Sequence, residues 1–177
     1  MKIETERLVL RTPLPQDAPA LLAIRNSGYV LRFNPMEPTT LERIQKQVAE
    51  DAASGKALYL EEKATGQCIG GIWLGEDSLR FGVEALDFSY FLSQQSAGKG
   101  LMTEALGAAL TYAFQTLGAQ IVSARVFVGN QGSARVLEKL GFSQEGTLRR
   151  AVKDPRGQIH DDMLFSLLRE EWENREA

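Results

Sequence analysis

The segment from Asp87 to Val128 constrains what this chain can fold into more than any other. Asp87-Phe88-Ser89-Tyr90-Phe91-Leu92 alternates as a strand, with Phe88, Tyr90 and Leu92 on one face and Asp87, Ser89 and Phe91 on the other. It runs straight into Gln95-Ser96-Ala97-Gly98-Lys99-Gly100. A helical repeat of Leu101, Ala105, Leu106, Ala109, Leu110, Ala113, Phe114 and Leu117 follows, and Gly118 stops it. This predicts about 18 residues of helix, roughly 27 Å long. Gln120 to Val128 is again strand-like, so the segment is a βαβ unit whose two strands lie parallel. A chain organised around such a unit is a mixed α/β (α+β) protein.

The loop inside this unit has a chemistry of its own. Two glycines one residue apart allow a sharp turn close to a ligand, and the first amides of the helix behind them have no partner within it. Together with the helix dipole, those N–H groups form a site for a phosphate or pyrophosphate. Two nucleotide loops fail on position. A Walker-type loop needs a glycine five residues before Gly98 and Ser or Thr after Lys99, where Ser93 and Gly100 stand. A dinucleotide fingerprint needs a third glycine at Thr103 and expects the loop after the first strand of the fold.

Around this centre, Ile3 to Arg11 reads as a first strand closed by Pro13 and Pro15. Asp17 caps or opens a short helix through Ala18, Leu21, Leu22 and Ile24 to Arg25. Thr39 or Thr40 caps a second helix through Leu41, Ile44 and Val48 to about Ser54, which Gly55 stops. Tyr29 to Pro38 is an irregular apolar loop, serving either as packing or as a substrate wall. Lys56–Lys63 and Cys68–Gly75 flank Ala64-Thr65-Gly66-Gln67 as an antiparallel hairpin, and Leu79–Leu86 either continues it or is exposed loop. After Gly129 to Ser133, Ala134, Leu137, Leu140 and Phe142 mark a short helix ended by Gly141. Strands follow at Gly146–Lys153 and Ile159–Leu168, joined by a turn at Asp154-Pro155-Arg156-Gly157. Glu170 to Arg175 is a last helical turn or two, with Trp172 packing back.

A chain of 177 residues, 44% hydrophobic, is expected to fold as one domain over residues 1–177 without disulfides or metals. The lone Cys68 and the charged start at Lys2, Glu4, Glu6 and Arg7 point to the cytoplasm. No apolar run approaches the ~18 residues that span a bilayer, so no membrane partner is expected. The net charge is −3, but residues 37–87 carry ten acids against five bases. That bias suits a solvated face or a cationic substrate, and it disfavours nucleic acid.

The pattern Gln95-x-x-Gly98-x-Gly100 between a strand and a long helix resembles the pyrophosphate loop of the GNAT superfamily of acetyl-CoA-dependent acetyltransferases. Four further pieces in order make the resemblance specific. They are Thr5-Glu6-Arg7-Leu8-Val9-Leu10-Arg11; the helix start Gly100-Leu101-Met102-Thr103-Glu104-Ala105; Asn130-x-x-Ser133 with Val136-Leu137-Glu138-Lys139-Leu140-Gly141-Phe142; and Glu145-Gly146-Thr147-Leu148-Arg149 with the strand Asp161 to Leu168. They cover nearly the whole chain and are similar to the ribosomal-protein N-terminal acetyltransferase branch (RimJ/RimL type). Ala97 stands where a bulkier residue is frequent in the family, and Ser89 where a glycine is.

The resemblance implies a GNAT fold: a central, mostly antiparallel sheet with one parallel splayed pair, flanked by helices. It implies acetyl-CoA as co-substrate, no metal, and direct transfer within a ternary complex to a primary amine, foremost a protein N-terminal α-amine. A polyamine, amino sugar or amino acid acceptor is the alternative, and a non-catalytic CoA-binding module is a third reading. The backbone amides of Ala97, Gly98, Lys99, Gly100, Leu101, Met102 and Thr103 would hold the pyrophosphate, in the motif that Gln95 opens. Phe91 and Leu92 would pair with the pantetheine arm, and one strand N–H there would polarise the thioester oxygen.

Asn130 would bind the pantetheine amides, cap the short helix, or do both. Ser133 is either the proton donor to the departing thiolate or a helix-surface serine. Asp87 is either a base acting through water or a structural carboxylate, with Glu84 and Asp161 as rivals. Glu104 belongs to the helix-start motif and equally suits the helix dipole. Lys99 either adds charge to a phosphate or is solvated. Cys68 reads as a small buried hydrophobe and His160 as an exposed strand residue, so no nucleophile and base pair is evident. A homodimer is left open.

Overall fold

A computed structural model describes residues 1–176 of the 177. Its strands are β1 (Lys2–Glu4), β2 (Leu8–Arg11), β3 (Ala57–Glu62), β4 (Gln67–Glu76), β5 (Ala85–Leu92), β6 (Ile121–Phe127), β7 (Ser143–Lys153) and β8 (Ile159–Leu168). Its helices are α1 (Ala18–Arg25), α2 (Gly28–Leu31), α3 (Leu41–Ser54), α4 (Leu101–Thr111), α5 (Gln131–Lys139) and α6 (Arg169–Glu176). The eight strands form a sheet in the order β1-β2-β3-β4-β5-β6-β8-β7. β5 runs parallel to β6 from Ala85↔Ile121 to Asp87↔Ser123, as a strand–helix–strand segment requires, and β1–β2, β2–β3, β3–β4, β6–β8 and β7–β8 are antiparallel. The chain divides into two compact units, Met1–Trp73 with Tyr90–Ala105 and Leu74–Ser89 with Leu106–Ala177.

In the first unit, the stretch expected as one strand from Ile3 to Arg11 is a hairpin. β1 and β2 pair antiparallel, from Lys2↔Arg11 to Glu4↔Val9. The break falls where the Thr5 N–H donates to the Leu8 carbonyl at 3.0 Å and the Leu8 N–H donates back to the Thr5 hydroxyl at 3.1 Å, turning the chain within four residues. Asp17 does not cap α1 with its side chain. It is buried, receives the Leu14 N–H at 2.8 Å, and is gripped by both terminal nitrogens of Arg11 at 2.8 Å, because a buried carboxylate is stable only when paired. The apolar loop after α1 is not wholly irregular, since Gly28–Leu31 forms a helical turn capped by Ser27. Thr40 caps α3 by accepting the Arg43 N–H, and Gly55 ends that helix in a left-handed conformation.

The core here sets Ala18, Leu21, Ile44 and Val48 against Ala57, Tyr59 and Cys68. Each large aliphatic side chain buried in this way contributes about 1.5–3 kcal/mol. Cys68 is a buried free thiol, as expected, and burial pushes it up to about 11, so it is inert. Both Tyr59 Oη and Trp73 Nε1 donate to one Asp51 oxygen at 2.8 Å. Trp73 in turn packs on Phe91 with ring centroids 4.8 Å apart, which fixes the C-terminal end of β5.

In the second unit, β5 begins at Ala85, two residues before the expected start, and Leu79–Glu84 is loop. The long helix is regular only to Thr111. Tyr112–Thr116 is a single π-helical turn, and Gly118 then reverses the chain. Arg169 secures that end by donating to the carbonyls of Ala119 and Phe114, and Phe114 packs on Trp172 at 5.3 Å. On β6, Val122, Ala124 and Val126 are buried on one face. Ser123 and Arg125 alternate with them on the other, where they share the register with Ser166 and Leu164 of β8.

Candidate active site

The loop at the end of β5 is built by two unlike turns. Gln94–Ser96 is a 3-10 turn in which the Ser93 and Ser96 hydroxyls meet at 2.8 Å and the Ala97 N–H donates to the Gln94 carbonyl at 3.2 Å. Gly98 and Gly100 then take φ of 73° and 77°, a conformation that a side chain would resist. The first hydrogen bond inside α4 runs from Glu104 N–H to the Gly100 carbonyl at 3.0 Å. The amides of Leu101, Met102 and Thr103 therefore precede the helical ladder. The side chains of Leu101 and Met102 are buried and anchor the helix, whereas Gln95, Gly98, Lys99 and Gly100 are exposed.

No atom lies within 4 Å of where a Gly98 Cβ would stand. Open backbone, several free N–H groups and a helix N-terminus together make an arrangement that suits a phosphate or diphosphate. Ala97 differs from the positions after it, because its amide is already engaged in the turn.

A carboxylate braces this loop from behind. Glu104 accepts the Thr5 hydroxyl at 2.5 Å, the Arg7 N–H at 2.8 Å and Arg7 Nε at 2.7 Å, and Arg7 Nη1 donates to the Lys99 carbonyl at 2.8 Å. Burial alone would raise the Glu104 carboxyl, but these donors outweigh it and hold the group below the usual glutamate range. Thr5, Arg7 and Glu104 are thus one device that fixes the turn between β1 and β2 to the Gly98–Gly100 loop. Sequence alone could not join them, since Thr5 and Glu104 lie 99 positions apart.

A second close approach fixes the strand end. A Cβ on Gly70 would stand 2.3 Å from the Phe91 carbonyl oxygen and 3.0 Å from the Leu92 Cα. Only glycine lets β4 lie this near Phe91 and Leu92, and the Ser93 N–H donates to the Ile69 carbonyl at 2.8 Å just beyond. The pair Gly70-Gly71 inside an apolar strand was the sequence signal for this.

In the second unit, Asn130 is the N-cap of α5, its Oδ1 accepting the Ser133 N–H at 3.2 Å. Ser133 is partly buried one turn into that helix. Among the described residues, neither the Asn130 side-chain nitrogen nor the Ser133 hydroxyl spends its donor on the protein. The candidate carboxylates differ in their surroundings. Asp161 accepts the Arg150 N–H at 2.6 Å, Glu84 is exposed, and Glu104 is the brace just described. Asp87 is half-buried, and its carboxyl is pushed up first by burial and then by the nearby negative charge of Asp77. Arg125 opposes that shift without cancelling it.

His160 is not the exposed strand residue expected. It stacks on Phe127 with ring centroids 4.7 Å apart, and its Nε2 lies 3.1 Å from Asp154. Among the described residues no group of three or more His, Cys, Asp or Glu side chains is placed to hold a metal ion. No described helix is long and apolar enough to cross a membrane.

A mixed sheet with one parallel pair, whose central strand feeds a glycine loop with unspent amides at a helix head, is the frame of an acyl-CoA-dependent transferase. The chain belongs to the GNAT acetyltransferase family: residues 7–143 match the model described as "Acetyltransferase (GNAT) domain". The chain is 28% identical to the uncharacterized N-acetyltransferase YoaA of Bacillus subtilis over 94% of its own length and 96% of the relative's. It is 27% identical to the [ribosomal protein uS5]-alanine N-acetyltransferase of Escherichia coli, over 97% of the chain and 93% of the enzyme. Among solved structures, RimJ of Mycobacterium smegmatis in complex with CoA-disulfide superposes with a TM-score of 0.78 at 23% identity, covering 93% of this chain and 83% of that one.

Proposed function

We propose that residues 1–177 act as one acetyltransferase domain that moves acetyl from acetyl-CoA to the N-terminal α-amine of a protein, by direct transfer in a ternary complex. The observation that carries the donor side is the run of unspent amides from Gly98 to Thr103 behind open glycine backbone. These donors hold the pyrophosphate, and the Lys99 ammonium adds charge at its edge. The backbone of Phe91 and Leu92, held in place by Gly70 and by the Trp73 ring, pairs with the pantetheine arm. One of its N–H groups polarises the thioester carbonyl. Asn130 uses its unspent amide nitrogen on the same arm while its oxygen caps α5.

Acetyl-CoA supplies an acyl group already activated as a thioester. The protein then has to deprotonate the incoming ammonium and protonate the leaving thiolate. Asp87 serves the first task through a water, as a half-buried carboxylate that burial makes readier to take a proton. Ser133 serves the second task with its unspent hydroxyl. No covalent enzyme intermediate is needed, consistent with the inert Cys68.

Two observations support a protein N-terminus as acceptor. The relative acting on ribosomal protein uS5 aligns along almost the whole of both chains, and the acidic segment 37–87 suits an approaching ammonium group. The test is an acceptor panel read by thiol release: peptides carrying ribosomal-protein N-termini, the same peptides with blocked α-amines, polyamines and aminoglycosides. The proposal expects turnover with the free N-terminal peptides alone. Turnover confined to the small amines would assign the chain to small-molecule acetylation, and none at all with CoA bound would make it a binding module.

A further inference from the structure

The loop between β4 and β5 holds two charged side chains that the reaction as proposed leaves unused. Asp77 is 8% exposed, accepts the Leu79 N–H at 2.8 Å, and is clasped by Arg80, whose other terminal nitrogen donates to Glu145 at 2.6 Å. Ser166 donates to the same Glu145 oxygen at 2.6 Å. From the other side, the Ser123 hydroxyl lies 2.9 Å from Asp77 and 3.3 Å from Asp87. Ser123 and Asp87 are register partners across the parallel pair, so their side chains share a face of the sheet.

We propose that Asp77 is a positioning residue for Asp87, acting through the Ser123 hydroxyl that the two carboxylates share. The inference rests on the reading of Asp87 as the base. A hydroxyl has one proton to donate, and the shorter contact gives it to Asp77. Ser123 then turns a lone pair toward Asp87, which suits Asp87 in the state that has just taken a proton. Asp77 keeps its own charge because Arg80 and the Leu79 N–H stabilise it, and the direction of its shift is downward although burial opposes this. The two carboxylates are thereby made unequal, one fixed as an anion and the other ready to accept a proton.

The groups acting on Asp87 are Asp77 from the loop and Ser123 and Arg125 from β6, and Arg80 reaches it only through Asp77. Behind them, Glu145 of β7 is tied to Arg80, and Asp162 of β8 to Arg125 at 2.7 Å. Changing Asp77 to Asn preserves shape, removes the like charge and makes position 77 a weaker acceptor, so that the Ser123 proton can turn to Asp87. The lost charge and the turned proton both lower the affinity of Asp87 for a proton.

The experiment compares wild type, Asp77→Asn and Asp87→Asn. It reads the Asp87 titration by carboxyl-carbon NMR and the pH profile of kcat/KM with one N-terminal peptide, so that the titration of the acceptor amine is common to all three. The expected result is an Asp87 midpoint and an acid limb both displaced to lower pH in Asp77→Asn by roughly half to one unit, with a native-like melt. An Asp77→Asn protein whose midpoint and limb coincide with wild type, while Asp87→Asn loses activity, overturns the role of Asp77 alone. A wild-type profile in Asp87→Asn overturns the reading of the base, and the inference with it.

Discussion

Replacing Glu104 with Ala removes the acceptor of three hydrogen bonds at once, from the Thr5 hydroxyl, the Arg7 N–H and Arg7 Nε. Bonds to a charged acceptor contribute about 1.5–3 kcal/mol each. The Arg7 side chain is 45% exposed and rehydrates when released, whereas the Glu104 side chain is only 16% exposed. We therefore expect a loss of about 2–4 kcal/mol rather than the full sum. For a chain of this length each kcal/mol lowers Tm by about 2–4 °C, so the melt should fall by about 5–15 °C.

Two further readouts separate this brace from generic damage. Arg7 also holds the Lys99 carbonyl, so the variant should bind acetyl-CoA more weakly by calorimetry. The folded-state pKa of Glu104 is depressed, so its contribution is fully present above the ordinary glutamate value and is lost as pH falls through the folded value. The Tm gap between wild type and variant should therefore be widest near neutral pH and narrow as pH falls below the ordinary glutamate value of about 4.3. A gap that stays constant from neutral to acid pH, or a variant with wild-type Tm and acetyl-CoA affinity, would refute the brace.

The remaining expectations concern the donor site and the acid. Acetyl-CoA at 100 times its Kd should stabilise the protein by about 2.7 kcal/mol, a rise of roughly 5–10 °C in Tm by scanning fluorimetry; no rise would sink the loop assignment. Gly70→Ala sets a methyl 2.3 Å from the Phe91 carbonyl oxygen, and such overpacking costs about 1–3 kcal/mol. Because the strain falls on the strand end proposed to hold pantetheine, acetyl-CoA affinity should drop with stability; a destabilised variant of unchanged affinity would remove that strand end from the site. Ser133→Ala should lower kcat by about 10²-fold with KM for acetyl-CoA little changed, and wild-type turnover would strike Ser133 from the reaction.

Much of the fold was legible because the decisive signals are local. The strand, glycine loop and helix of residues 87–117, the hairpin turn at Gly66, the Thr40 cap and the Gly55 and Gly118 stops each depend on neighbours within a few positions. What escaped depends on partners far along the chain. The Ile3–Arg11 stretch has continuous β-propensity, and only the Thr5 to Leu8 turn and its docking on Glu104 break it. Asp17 has the composition of a cap, but Arg11 claims its carboxylate. The π turn at Tyr112–Thr116 leaves no mark in the apolar repeat. The turn and open backbone of the loop after β5 were readable for the same reason as the fold, since both are written in glycines. The environment of Asp87 was not, because Asp77, Arg80 and Ser123 come from a loop and a neighbouring strand with no shared spacing.

Locating the transferred acetyl group decides whether this acetyltransferase acts, as proposed, on a protein N-terminal α-amine. The protein would be incubated with acetyl-CoA and a mixture of ribosomal-protein N-terminal peptides that also contain lysine, together with polyamines, and the products sequenced by fragmentation mass spectrometry. The account predicts acetyl on the α-nitrogen of the first residue and none on lysine side chains or polyamines. Acetyl found on the polyamines with the peptide α-amines untouched would contradict it.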